Sequence, residues 1–276
     1  MKAGVADFPP LTFRALSMAL GLPLLWAILR LRGVPLAIPR VHCRELASLT
    51  VTNMVGWHVL TILSVTALSS GRAAILGYTM PIWSALWGYA LYGQRLAPRQ
   101  LVGIGAAALG VTFLVWHELA QFAGRPLAAF GMLAAAAIWA LGTQQMRHTR
   151  MTETPTLAIV FWITALAAVA ITLLAVAFET GRWHAPSTVV WGAVVINAVG
   201  VFAFAQVVWL VLARELPPIA STMSIMLVPV LGTLSGAWWL HEALHWQDGA
   251  AIALLLVAIA AVMWPARRDQ PAYGSG

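Results

Sequence analysis

The sequence predicts an all-α polytopic membrane protein, an inverted-repeat helical bundle with nine visible spans of an expected ten. Three observations carry this: the composition, the spacing of the apolar runs, and a register in which the second half repeats the first. Of 276 residues, 61% are hydrophobic and only 9% charged, against roughly 25% charged in a soluble domain. The net charge of +7 would suit nucleic acid, but the basic residues fall one to four at a time between apolar runs and form no patch with interleaved aromatics, which argues against it. Cys43 is the single cysteine, which excludes an internal disulfide framework and any C-x-x-C site. No basic segment leads into a short apolar core with a small-residue cleavage site at the N-terminus, so no signal peptide is read there.

About 20 apolar residues cross a bilayer as a helix. On that criterion the spans are 9–30, 46–68, 72–93, 98–116, 126–146, 156–178, 188–212, 217–240 and 248–265. The links hold most of the charge and are too short for a separate soluble domain. Arg30, Arg32, Arg40, Arg44, Arg95, Arg99, Arg147, Arg150, Arg214, Arg267 and Arg268 fall on one side, and Lys2, Arg72, Arg125 and Arg182 on the other. Positive residues mark the cytoplasmic face. The expectation is a multi-pass protein of the bacterial inner membrane with a cytoplasmic C-terminus and an external residue 1.

Sliding the chain by 148 residues lays Leu68–Trp116 on Leu216–Trp264 without a gap, with Pro81 on Pro229, Gly88 on Gly236 and Leu96 on Leu244. Further back, Asn53-Met-Val-Gly56 matches Asn197-Ala-Val-Gly200 at an offset of 144, which implies one extra helical turn in the second copy. An odd number of spans separates the copies, so they lie in opposite orientation, as in secondary transporters. The first repeat covers 1–118, the second 124–266, and 267–276 forms a cytoplasmic tail. Span 126–146 has no counterpart in the first copy, so the repeat predicts a missing first helix. Either a helix precedes Met1 in the native chain, the favoured reading, or the protein has nine spans.

His241-Glu242-Ala243-Leu244-His245 matches the zinc-peptidase string H-E-x-x-H, in which two histidines one turn apart bind metal and the glutamate activates water. The repeat sets it opposite the turn Gly93-Gln94-Arg95-Leu96, which favours a polar helix end, and no metal ligand is assigned. All nine carboxylates lie at span ends or in loops, so coupling through an intramembrane acid is not expected. Pro81 and Pro229 each fall about ten residues into a span, where each would free a carbonyl and kink the helix, as gate hinges at a central site would. Ser84 to Gly88 and Gly232 to Gly236 are small-xxx-small pairs that allow close helix crossing; a homodimer contact is the alternative. Asn53, His58, Asn197 and Gln206 are the polar side chains deepest in the spans, and Trp57, Tyr78, Trp83 and Trp139 are the deeper aromatics suited to an apolar pocket. The bland alternatives are helix-to-helix hydrogen bonds and lipid-facing rings.

Asn53-x-x-Gly56-Trp57-His58, Gly71-Arg72-Ala73-Ala74-Ile75 leading to Tyr78-Thr79-Met80-Pro81-x-Trp83, and Gly93-Gln94-Arg95-Leu96-x-Pro98 resemble the first-half repeat of EamA-type members of the drug/metabolite transporter superfamily. Trp139, Leu216-Pro217-Pro218, Pro229 and His241-Glu242-Ala243-Leu244 carry the resemblance through the second half. It implies ten helices, two cytoplasmic termini, no enzymatic activity, no cofactor, and outward movement of a small metabolite. The chain departs from the family in lacking the first helix and in its turns, Gly-Gln-Arg-Leu and His-Glu-Ala-Leu where Gly-Glu-x-Leu is usual. The resulting expectation is alternating-access export of a small neutral or zwitterionic, amino-acid-like solute. Its binding residues would be Asn53, Trp57, His58, Tyr78, Pro81, Trp83, Trp139, Asn197, Gln206 and Pro229. The partners are that solute and the bilayer, without nucleic acid. An intramembrane zinc peptidase and a non-transporting membrane protein are the alternatives.

Overall fold

Helix α1, Pro10–Leu31, opens the described chain, and its own sequence explains both ends. Pro10 stands in the first turn, where a missing N–H costs nothing. Gly33, with φ of 62°, stops the helix by taking a left-handed conformation, and Val34 N then donates to Leu29 O at 2.9 Å. The structure is a computed structural model that describes residues 8–68, 73, 76–115, 126–219, 221, 225–228, 230–231 and 246–263. Pro229, the pair Gly232 and Gly236, and the His241–His245 string lie outside the described residues.

After α1 come α2 (Cys43–Thr50), a π-helical segment Val51–Val55, α3 (Gly56–Ala67), α4 (Met80–Tyr92), α5 (Pro98–Val115), α6 (Pro126–Arg147) and α7 (Thr156–Glu179). Then follow α8 (Thr188–Ile196), a second π-helical segment Asn197–Ala205, α9 (Gln206–Glu215) and α10 (Trp246–Met263). No strand occurs among the described residues. Pro10–Leu31, Arg40–Ala67, Pro126–Arg147, Thr156–Arg182 and Thr188–Glu215 are each long and apolar enough to cross a membrane. Helices α4 and α5 lie within two more of the runs read from the sequence, α10 overlaps a third but starts two residues earlier, and most of the run 217–240 falls outside the described residues.

Two spans differ from the unbroken helices expected. Arg40–Ala67 and Thr188–Glu215 each wind through a π-helical segment before their last helical stretch. Such wider turns shift the faces on either side of them and are frequent at functional sites. The first is 5 residues long and the second 9. Their difference, four residues, equals the shift between the 144 and 148 offsets. The expected span 72–93 is broken at Tyr78–Thr79, and Pro81 stands in the first turn of α4 instead of inside a continuous helix.

Outward surfaces are apolar, as a bilayer requires of side chains that meet lipid tails: Leu127 is 87% exposed, Phe130 69% and Phe204 68%. Buried hydroxyls bond within their own helices, Ser17 to Phe13 O at 2.8 Å and Thr164 to Val160 O at 2.7 Å. Helix α1 packs on α7 and on the second π segment, α6 on α3, α4 and α9, and α5 on α10. Close approach between α6 and the Val51–Ala67 stretch rests on small residues. A Cβ at Gly142 would stand 2.5 Å from Asn53 Nδ2, one at Gly56 2.7 Å from Ile138 Cγ2, and one at Gly131 2.8 Å from Ser64 Oγ. Ascending numbers on one side meet descending numbers on the other, so the two run antiparallel.

Each end of the bundle is tied by charge. At one, the Arg214 guanidinium donates to the carbonyls of Met151, Thr152 and Thr154 and to Thr156 Oγ1, at 2.7–3.0 Å. Nearby, Glu45 accepts from Thr149 Oγ1 at 2.6 Å and Arg150 N at 2.9 Å. At the other, the buried Glu179 carboxylate accepts from Leu11 N, Thr12 N and Thr12 Oγ1 at 2.7–2.9 Å, capping α1 from the far end of α7.

Candidate functional site

Immediately after each π-helical segment the chain delivers polar or aromatic side chains into one space. Val55 ends the first, and Gly56, Trp57 and His58 follow; Ala205 ends the second and Gln206 follows. Thr61 lies three residues beyond His58 and Trp209 three beyond Gln206, so each pair shares a helix face. These residues, with Tyr78, Met132 and Trp139, line a cavity of about 470 Å³ that Val65, Ala73, Gly77, Met80, Val201, Ala205, Ile225 and Val228 complete. The volume lies in the range of small-molecule sites.

Aromatic rings build one wall. Trp139 contacts Trp57 with centroids 4.0 Å apart and planes at 65°, and Trp209 with centroids 5.3 Å apart and planes at 79°. Both are edge-to-face arrangements that suit ring quadrupoles. The cavity follows a seam in the core. Trp57, Trp139, Val201 and Ile225 pack against the larger apolar cluster around Phe13, Met54, Ile62 and Phe202, whereas Tyr78 packs against a smaller one around Ala85, Ala107, Met226 and Leu255.

The polar atoms along this wall are unsatisfied. His58 Nδ1 and Nε2, Thr61 Oγ1, Trp139 Nε1, Gln206 Nε2 and Trp209 Nε1 are buried with no hydrogen-bond partner among the described residues. A buried polar group left unpaired costs about 1–3 kcal/mol, so six such atoms around one void mark a place where something else supplies partners. Behind the wall, His58 meets Phe202 at a tilt, with ring centroids 5.1 Å apart and planes at 60°, and the buried Arg14 guanidinium lies over the same Phe202 ring at 5.7 Å.

Of the ten residues expected at the site, the structure brings Trp57, His58, Tyr78, Trp139 and Gln206 to the cavity. Asn53, inside the first π segment, is fully buried against Gly142, with its Oδ1 without a partner among the described residues. Asn197 donates to Ala193 O of its own helix at 2.9 Å. Pro81 is buried one residue beyond the cavity-lining Met80. Trp83 turns its Nε1 to Thr79 Oγ1 at 3.2 Å, across the helix break. Pro229 lies outside the described residues. Sequence reasoning missed Thr61, Trp209, Met132 and Val201. The i, i+3 spacing from His58 and Gln206 would have found the first two.

Ser84 and Gly88 lie against α6 in the described chain, and the pair Gly232 and Gly236 proposed to meet them lies outside the described residues. Gln144 Nε2 donates to Ser84 O at 2.7 Å, and a Cβ at Gly88 would stand 2.7 Å from that same nitrogen. Among the described residues no three His, Cys, Asp or Glu side chains gather as a metal site.

The fold agrees with what the chain resembles. A protein of solved crystal structure superposes with a TM-score of 0.75 over 96% of this chain and 91% of that one, at 23% sequence identity, a likeness that bears on the fold alone. A Bacillus subtilis (strain 168) protein described as the uncharacterized transporter YoaV is 24% identical over 252 residues, 88% of this chain and 83% of that protein. The pattern that defines the EamA-like transporter family matches residues 1–116 and 126–264. With both stretches matched, the chain belongs to the EamA-like transporter family, within the drug/metabolite transporter superfamily.

Proposed function

We propose that this protein is a secondary transporter of the bacterial inner membrane that exports a small neutral or zwitterionic, amino-acid-like metabolite by alternating access. The observation that carries the reading is the cavity of about 470 Å³ with its aromatic wall and six unpartnered polar atoms. A void that serves packing alone is apolar and needs no hydrogen-bonding groups. Aromatic faces accommodate the body of an amphipathic solute, and the polar atoms fix its orientation.

Alternating access needs two arrangements of the helices about one site. The break at Tyr78–Thr79 ahead of Pro81, at the cavity edge, suits a hinge. The equal lengths of the spans Arg40–Ala67 and Thr188–Glu215, 28 residues each, and the 148-residue spacing of α5 and α10, from 98 to 246 and from 115 to 263, support the reading of two related halves. The bias of arginines toward the Arg214 end supports a cytoplasmic assignment for that end.

Flux tests the proposal. The purified chain in liposomes is assayed for counterflow across a panel of amino acids and related metabolites. His58→Ala is expected to lower the flux of the transported solute at least tenfold while the protein stays monodisperse. Unchanged flux with His58→Ala removes His58 from the site, and no counterflow for any solute refutes the transport reading.

A further inference from the structure

The unpartnered atoms of the cavity are not a balanced set of donors and acceptors. Indole N–H and amide NH₂ groups only donate, so Trp139 Nε1, Trp209 Nε1 and Gln206 Nε2 all require acceptors. Thr61 Oγ1 can donate as well, and a neutral His58 carries one N–H in either tautomer. No aspartate or glutamate is among the residues that line the cavity in the described chain.

These donors belong to side chains that line one cavity. Gln206 and Trp209 share a face of α9, and Trp209 meets Trp139 edge to face at 5.3 Å. Gln206 is 3% exposed, Thr61 8% and Trp209 9%. The remaining lining is apolar, with Met132, Val201, Ile225 and Val228. A solute that satisfies this surface presents several lone pairs at one end and an apolar body at the other. A carboxylate offers about four lone-pair sites on two oxygens, and charge-assisted hydrogen bonds to it are the stronger kind. An ammonium in the same corner would meet no carboxylate among the described lining residues and would leave the indole N–H groups without an acceptor.

We infer that the corner formed by Gln206, Trp209, Trp139 and Thr61 receives the carboxylate of an apolar organic acid or amino acid, and that Gln206 and Trp209 set the selectivity for that head group. The inference rests on the transport reading, and binding measured without flux separates the two.

Three probes with one body and different heads, 3-phenylpropanoate, 3-phenylpropanamide and 3-phenylpropylamine, are titrated by calorimetry into the purified full chain in detergent. The acid is expected to bind at least tenfold more tightly than the amine, with the amide between them. Trp209→Phe keeps an aromatic ring and deletes the N–H, and it should shrink the acid-to-amine preference about tenfold, the effect of one charge-assisted hydrogen bond. Gln206→Glu places a carboxylate in the corner and should reverse the preference. General damage to the fold weakens all three ligands together and leaves their ratio alone, and either variant suffices if the other fails to fold. Amine binding as tight as acid binding, a ratio that neither variant changes, or no binding of any probe overturns the assignment. Counterflow of another solute by the same preparation would then leave the transport reading standing.

Discussion

Removing the Glu179 carboxylate should loosen the whole first span. Helix α1 has no side-chain cap of its own, and its first turn is held by Glu179, which is 3% exposed and reaches over from α7 to accept from Leu11 N, Thr12 N and Thr12 Oγ1. Loss of an N-cap costs about 0.5–2 kcal/mol. The negative charge at a helix N-terminus adds about 0.3–1 kcal/mol, and a backbone donor left buried and unpaired about 1–3 kcal/mol. Because these overlap, Glu179→Ala is expected to cost about 2–4 kcal/mol. Glu179→Gln keeps one acceptor oxygen and loses the charge, and should cost about half as much. Reversible unfolding of the purified protein by titration with SDS reads both. Thr12→Val supplies the control: it removes one of the three bonds to the carboxylate and the acceptor of Trp183 Nε1 at 2.9 Å, so its effect should shrink in the Glu179→Ala background. A Glu179→Ala protein within about 0.5 kcal/mol of the parent, the range of ordinary surface changes, would show that the contact does not hold α1 in place.

Gly142→Ala should destabilise by about 1–3 kcal/mol through overpacking against Asn53, and Asn53→Ala should relieve part of that loss in the double variant; thermal unfolding followed by size-exclusion chromatography reads both. Arg214→Lys should not restore what Arg214→Ala loses, since one ammonium cannot span the four acceptors that the planar guanidinium reaches; the rate of proteolytic cleavage between Met151 and Thr156 is the measurement. Glu242→Gln should leave every activity of the chain intact and the purified protein should carry no stoichiometric zinc; elemental analysis and the counterflow assay check this, and zinc at one per chain would revive the peptidase reading.

Much of the fold was legible because a bilayer simplifies the code. Apolar runs long enough to cross it must be helical, and Pro10–Leu31, Pro126–Arg147 and Thr156–Glu179 follow the runs read from the sequence to within a few residues. The π-helical segments were not legible. A wider turn leaves no signature in apolar composition, and only the offset change from 144 to 148 hinted that the second copy needed extra length. The break ahead of Pro81 was missed for a related reason: a proline inside an apolar run predicts a kink, and whether the chain instead ends one helix and begins another depends on what its freed groups can find nearby.

The site divides along the same line. Its residue types were readable, since a histidine or glutamine deep in a span is costly without a purpose, and His58 and Gln206 stand at the cavity with Trp57, Tyr78 and Trp139. Which polar residues look inward was decided by tertiary structure alone. Asn53 and Asn197 occupy equivalent motifs, yet one is enclosed against Gly142 and the other bonds to its own helix, because the face a residue presents depends on the turns before it and on the helix packed opposite. Glu179 shows the same limit from the other side. By itself the sequence determined that the chain spans a membrane as helices and that its carboxylates sit at the helix ends, since lipid excludes unpaired polar backbone and charge alike. Only the tertiary structure determined that one of those carboxylates caps a helix 167 residues away, because that contact depends on how α1 packs on α7 and not on any local pattern.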